Sequence, residues 1–333
     1  MYNGKSVGVF VITCNGELFI EKQLDSIRLQ SVSVDVVMIY DDNSSDNTLG
    51  IISSYISKYN LINWYLHKNI VTLGWYLNAL KAMKAVETDF IFWSDQDDVW
   101  HKNKVELMVS FLDRYDSCCG SYSKCDYIDE SNTIMYYHPP NSKVGVMRDY
   151  GENSHKYPFL GCLSCYRKNF IKSINEEELF DVGFKSLDWI LYRIGILHGG
   201  FVFVDCSLLN RRIHNCNLTT SKAKFKRRLI NAMKASPNKY DVYKFQLETL
   251  KYIFNKYSNE LEKNNFPKIF LNYERTWLAN RIDYISNNIG FCEYLKKLSY
   301  KTKWSDVIYC CISDVIIKLK NGLGYRLEPY VTE

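Results

Sequence analysis

Asp95-Gln96-Asp97-Asp98 puts three carboxylates into four residues, directly after the apolar run Phe90–Ser94. Charges that close repel one another unless a cation or solvent relieves them. Oxygen ligands suit Mg²⁺ or Mn²⁺, ions that characteristically bridge to substrate phosphates. The competing use of such a sequence is a solvated acidic turn that caps the next helix. Asp41-Asp42 closes an earlier apolar run. One of these carboxylates could accept from a base imide or a ribose hydroxyl while the other caps the following helix, and taken alone capping is the better explanation of the pair. Thr13 and Asn15 end the first apolar run and would line the same crevice, although both are ordinary turn residues. Asp188 stands beside Trp189 at the head of a stretch with Ile190, Leu191 and Ile194 at helical spacing. By its own chemistry that place suits an N-cap or first-turn acid. Arg211 and Arg212 could steady a diphosphate or simply be solvated, and His214 by itself reads as a hydrogen-bonded or surface histidine.

These residues need a scaffold that brings loop ends together, and the pattern of the first hundred residues supplies one. Val7–Thr13, Val34–Tyr40, Ile62–Leu66 and Phe90–Ser94 are short apolar runs, as strands covered on both faces are. Between them, Ile20, Leu24 and Ile27, then Leu49, Ile52, Tyr55, Ile56 and Tyr59, then Leu77, Leu80 and Val86 recur at helical spacing. Asn43-Ser44-Ser45-Asp46 offers turn and N-cap chemistry ahead of the second helix. Strand alternating with helix predicts an α/β fold with a mostly parallel, Rossmann-like sheet. Ligands of such sheets sit beyond the carboxyl ends of the strands, where every acidic cluster named above falls. From about Tyr122 the pattern turns irregular, with a loop at Tyr136–Pro140 and a further strand at Phe201–Asp205. The expected division is a catalytic domain over 1–220 and a helical, basic extension over 221–333.

With 333 residues, 47% of them hydrophobic and 24% charged, the chain can bury a large core and is not of disordered composition. The net charge of +5 permits anionic partners without demanding nucleic acid. The first apolar run is too short for a signal peptide, and no stretch reaches the roughly 18 to 20 uncharged residues of a membrane span. The expected location is cytoplasmic, with peripheral contact to the inner membrane face as an option. Seven Lys or Arg and no acid occupy 222–239, with Phe225, Leu229 and Met233 at helical spacing. Such a segment is either a solvated face or a dock for anionic lipid. Ile308, Ile312, Val315, Ile316 and Leu319 predict another amphipathic helix. Eleven scattered cysteines read as reduced thiols, and the lone Cys162-Leu-Ser-Cys165 lacks the second pair that structural zinc requires.

Taken together the motifs resemble those of family 2 glycosyltransferases of the GT-A fold. Val11-Ile-Thr-Cys-Asn-Gly16 is similar to the family's T-Y-N-G, and Asp41-Asp-Asn-Ser-Ser-Asp46 to its D-D-G-S-x-D. Ser94-Asp-Gln-Asp-Asp-Val-Trp100 is similar to its metal-binding D-x-D-D-x-W, in the wording of the rhamnosyltransferase-like branch that serves capsule, O-antigen and cell-wall polysaccharides. Gly161-Cys162 resembles the glycine loop beside the acceptor, Leu187-Asp188-Trp189 the H-D-W segment and Arg212-Ile213-His214 the R-x-H. Departures are Cys14 in place of an aromatic, Leu187 in place of His or Glu, and a glycine displaced to Gly74.

The resemblance implies an inverting transfer from a nucleotide-sugar donor to a saccharide or lipid-linked oligosaccharide hydroxyl. The donor would be dTDP-rhamnose or a UDP-hexose, contacted by Thr13, Asn15, Asp41, Asp42, Asp95 and Arg212. Mn²⁺ or Mg²⁺ would be held by Asp97, Asp98 and His214, and Asp188 would be the base. A sugar-nucleotide nucleotidylyltransferase would want a glycine-rich basic loop after the first strand, which Asn15-Gly-Glu-Leu18 is not. A non-catalytic binding or scaffold protein on the same fold would have no use for Asp97, Asp98 and Asp188 together.

Overall fold

Val7–Thr13 has no polar residue before its last position and forms β1, buried along nearly its whole length in the centre of a sheet. α1 (Ile20–Arg28) buries Ile20, Gln23, Leu24 and Ile27, the i, i+3, i+4, i+7 stripe expected of a helix covering a sheet. β2 (Val36–Asp41), α2 (Thr48–Lys58), β3 (Trp64–Lys68), α3 (Trp75–Ala85) and β4 (Phe90–Ser94) follow in alternation. β3, β2, β1 and β4 lie side by side and parallel, so their carboxyl ends share one edge. The register fixes that edge closely: Thr13 lies opposite Asp41, Asp41 opposite Lys68, and Ser94 opposite Val11. Residues leaving β4 therefore emerge level with the end of β1.

Beyond β4 the sheet becomes mixed. β5 (Val99–Trp100) and α4 (Lys104–Asp113) lead into β6 (Gly120–Ile128), followed by β7 (Ile134–Tyr136) and β8 (Gly145–Asp149). A 3₁₀ turn at Gly161–Leu163 runs into β9 (Ser164–Arg167), α5 (Lys168–Lys172), α6 (Leu187–Leu197) and β10 (Phe201–Arg212). The order is β3-β2-β1-β4-β9-β6-β10-β5; β9 is antiparallel to both β4 and β6, and β6 and β10 run parallel. β6 lies where the sequence pattern is irregular. Its buried Ser121, Ser123 and Asp126 interrupt the apolar run that would mark a strand. β10 also runs seven residues past the expected Asp205, because Asp205 to Ser207 are only partly buried and register shifts occur there.

This computed structural model describes residues 2–137, 145–149, 159–174 and 187–214, with positions 247, 248, 250–252, 276, 278–283, 285 and 286. The basic run 222–239 and the Ile308–Leu319 pattern lie outside the described residues. The chain divides into two compact units, one of 1–178 with 185–217 and the other of 179–184 with 218–333. Every candidate site residue belongs to the first. No helix among the described residues is long and apolar enough to cross a membrane.

Gly120 sits where β6 passes β9, and a Cβ there would stand 2.3 Å from the carbonyl oxygen of Cys165. Backbone cannot retreat as a side-chain tip can. Gly120→Ala is therefore expected to lower unfolding stability by about 1–3 kcal/mol, read from the denaturant midpoint. A midpoint equal to wild type would contradict this packing.

Candidate active site

The three carboxylates that follow β4 occupy three different environments. Asp95 accepts from Trp93 Nε1 at 2.9 Å. Enclosure, with the charge of Asp97 adding to it, raises its pKa to about 6. Asp97 Oδ2 meets His214 Nε2 at 2.7 Å, and the imidazole packs on Phe19 with ring centroids 4.9 Å apart. Asp98 is 2% exposed. Its Oδ1 accepts from the backbone N–H of Arg212 at 3.1 Å, and its Oδ2 has no hydrogen-bond partner. Burial first, then Asp97 and Asp95, push the Asp98 carboxyl up to about 8.

Positive charge is placed against this cluster from two sides. Arg211, on β10, feels Asp98 and Asp95; burial works against its charge, and Cys162 and these acids more than offset that. Lys104, at the head of α4, is fully buried. Its ammonium donates to the Cys162 carbonyl at 2.6 Å and lies 4.1 Å from the centre of the Trp100 ring. Burial lowers its pKa to about 8 despite the nearby acids.

Arg212 corrects one expectation. Its side chain is 0% exposed. Nε donates to the Asp97 carbonyl at 2.9 Å, Nη1 to those of Asp129 and Glu130 at 2.8 and 3.3 Å, and Nη2 to Asn132 at 2.7 Å. A guanidinium spent on protein acceptors is a clamp between the acidic loop and the β6–β7 hairpin, and is not presented to a diphosphate.

Thr13, Asn15, Asp41 and Asp42 sit at the shared edge, each bonded to the turns and loops around it. Asp41 accepts from Ser44 N–H at 2.9 Å and from the Ser44 hydroxyl, closing the turn through Asn43, whose φ is +62°. Asp42 accepts from the N–H groups of Leu73 and Gly74 at 2.7 and 2.8 Å and from Asn69 Nδ2 at 3.0 Å. It thus holds the turn leading into α3, not the helix next in sequence, and Gly74 in that turn has φ +81°, which a side chain would resist. Asn15, at φ +51°, ties its turn to the loop after β2 through Ser44 and Ser45. Thr13 donates to Gln96 Oε1 at 2.7 Å.

Asp188 lies in the first turn of α6. Oδ1 accepts from Trp189 N–H at 2.8 Å, and Oδ2 lies 3.3 Å from the N–H of Gly161. Its charge is felt at Asp95, so the two sides of the candidate site are electrostatic neighbours. Gly161 is required there because a Cβ would stand 2.6 Å from the Trp93 indole, which itself holds Asp95. Sequence reading missed Gln96, Trp93 and Lys104. Gln96 lay inside the acidic motif as an apparent spacer, and a lysine at the head of a helix carries no mark of burial.

Two groupings of these residues bring metal-ligating atoms together. The 2.7 Å between Asp97 and His214 is near the spacing of neighbouring ligand atoms on one ion, roughly 3 Å for bonds of about 2.1 Å. Asp95, Asp98 and Cys162 also have ligand atoms within 4.8 Å of one another. That interior group pairs hard oxygens with a thiol whose pKa burial raises well above its usual value, and Lys104 and Arg211 stand beside it. A protonated thiol among cations is a poor host for Mg²⁺ or Mn²⁺. Asp98 accepts from the β10 backbone through Oδ1, while its Oδ2, inside that interior group, has no hydrogen-bond partner.

The model of glycosyl transferase family 2 matches residues 8–174, and the chain belongs to that family. The protein is a glycosyltransferase. It is 30% identical over 235 residues, 65% of this chain and 76% of the other, to the dTDP-rhamnosyl transferase RfbG of Shigella flexneri. In fold it is similar to Staphylococcus aureus TarS 1–349 in complex with UDP-GlcNAc, with a TM-score of 0.61, 17% identity and coverage of 97% of this chain and 94% of that one. It is also similar to the mannosyltransferase PcManGT of Pyrobaculum calidifontis in complex with GDP-Man and Mn²⁺, at TM-score 0.53, 14% identity and coverage of 97% and 88%. The sheet and its helices are those of the GT-A fold.

The raised pKa of Asp98 gives a pH dependence of definite sign. In metal-free protein the folded state keeps the Asp98 proton up to about pH 8, whereas the unfolded chain loses it near 4. Stability from this group therefore falls as pH rises through that window. Asp98→Asn stays neutral throughout, so its melting temperature in EDTA should gain on wild type between pH 5 and pH 8. A difference that is flat with pH would contradict the assignment.

Proposed function

We propose that the protein moves a sugar from a nucleoside-diphosphate donor to a hydroxyl of a saccharide or lipid-linked oligosaccharide, with inversion at the anomeric carbon. The observation that carries this reading is the convergence of Asp97 and His214 with Asp95 at the carboxyl edge of β4, and of Asp188 on the neighbouring Gly161 turn. The nucleotide lies over the ends of β1 and β2, where Thr13, Asn15, Asp41 and Asp42 shape the edge. Of the donors, dTDP-rhamnose is supported by the likeness to RfbG, and a UDP-sugar by the likeness to TarS.

Asp97 and His214 hold Mn²⁺ or Mg²⁺ in this reading, with Asp95 beside them. Bound there, the ion offsets the charge that builds on the departing diphosphate. Asp188 takes the proton from the acceptor hydroxyl as its oxygen bonds to the anomeric carbon and the bond to diphosphate breaks. Residues 221–333 are a helical, basic extension in this reading, and their basic run meets anionic lipid at the membrane face.

Asp188→Asn keeps shape and capping ability but cannot accept a proton. Across a panel of dTDP- and UDP-sugars with Mn²⁺, wild type should turn over at least one donor. The variant should lose roughly 10²- to 10⁴-fold in rate, with donor affinity and melting temperature little changed. Near wild-type turnover in the variant would place the base elsewhere, and no turnover of any donor by wild type would sink the transferase assignment for this panel.

A further inference from the structure

Gln96 stands between two of the acids, and its carboxamide lies against the end of β1. Oε1 accepts from the Cys14 N–H at 2.8 Å, and Nε2 donates to the Cys14 carbonyl at 3.0 Å. A backbone N–H only donates and a carbonyl only accepts, so this pair fixes which end of the amide is oxygen. Thr13 Oγ1 is 2.7 Å from that oxygen and must therefore donate to it. β1 and β4 stop pairing at Val11 and Ser94. Just past that point, the Gln96 side chain takes the place of a neighbouring strand's peptide group.

Gly16 leaves room for this contact, since a Cβ there would stand 2.4 Å from Gln96 Oε1 and 2.9 Å from Thr13 Oγ1. The bonded path continues beyond Cys14. Asn15 N–H donates to the Ser44 hydroxyl at 2.8 Å, Asn15 Oδ1 accepts from Ser45 N–H at 2.9 Å, and Gly16 N–H donates to Thr48 Oγ1 at 2.8 Å. Ser44 in turn is held by Asp41. A run of hydrogen bonds thus connects the loop bearing Asp97 to the whole nucleotide edge, and Gln96 is its first link.

We propose that Gln96 is a positioning residue that couples the Asp97 loop to the nucleotide edge at Thr13–Cys14, so that a divalent ion and a nucleoside diphosphate strengthen each other's binding through it. The proposal rests on the donor site proposed above. Direct attraction between ion and diphosphate exists with or without Gln96. The added part is the ordering of both loops as one piece, and thermodynamic reciprocity requires the same factor whichever ligand binds first.

The test titrates UDP and dTDP into full-length protein with and without saturating Mn²⁺. It compares wild type with Gln96→Glu, which turns the donor facing the Cys14 carbonyl into an acceptor, and with Gln96→Met, which fills the space without polar atoms. The factor by which Mn²⁺ tightens nucleotide binding is expected to shrink roughly tenfold in both variants, a typical coupling magnitude. Affinity without metal should change little, and both variants should still melt cooperatively. Should the Glu variant not fold, the Met variant decides alone. A lowered melting temperature with an unchanged Mn²⁺ factor would show a merely structural role and overturn the proposal. Wild type that binds neither nucleotide in Mn²⁺ would overturn the donor-site reading and this proposal with it, an outcome distinct from retention of the factor in the variants.

Discussion

Mutual repulsion among Asp95, Asp97 and Asp98 is the constraint around which the described structure is arranged. Three carboxylates within four residues of one loop would repel one another unless each were given its own relief. Asp95 is tied to Trp93, Asp97 faces His214, and Asp98 is sunk against the β10 backbone with its pKa near 8. Lys104 and Arg211 supply the compensating charge, and Arg212 locks the loop to the β6–β7 hairpin. Both Lys104 and Arg212 are costly to bury, and each repays that cost only because its donors meet carbonyls or side chains that need them.

The same constraint explains why the sheet changes character after β4. A continued parallel sheet would leave the acids at an open edge. Instead β9 returns antiparallel beside β4, carrying the Gly161 turn over the face of Trp93 and bringing the Asp188 helix to the same place. Parallel strands thus set the edge proposed for the nucleotide, and the antiparallel return sets the opposite side of the candidate site. Trp93 touches both, holding Asp95 with its nitrogen and bearing Gly161 on its ring.

Much of this was legible in the residues, for physical reasons that differ from place to place. β1 and β4 fall on the apolar runs Val7–Thr13 and Phe90–Ser94 because strands buried on both faces have no polar positions to hide them. β6 was not legible, since Ser121, Ser123 and Asp126 are buried in it. Among the site candidates, residue type located the acids but could not say which way each would point. Asp97 and Asp98 are identical in sequence terms, and only the β10 backbone N–H that meets Asp98 distinguishes them. Asp42 likewise reads as a cap, but its partners lie 31 and 32 residues away, at the head of α3. No local pattern announces such a bond. Gln96 was hidden for the opposite reason, by lying inside a motif whose acids drew all the attention.

In the reading proposed above, Asp97 and His214 hold the ion while Asp98 stays on the β10 backbone. A crystal of the protein grown with Mn²⁺ and dTDP or UDP, measured at the manganese absorption edge, tests this directly. The account predicts one anomalous peak bonded to Asp97 and His214 and adjoining the diphosphate, with Asp98 still on the Arg212 backbone. A peak among Asp95, Asp98 and Cys162, or a bound nucleotide with no manganese at Asp97, would contradict it.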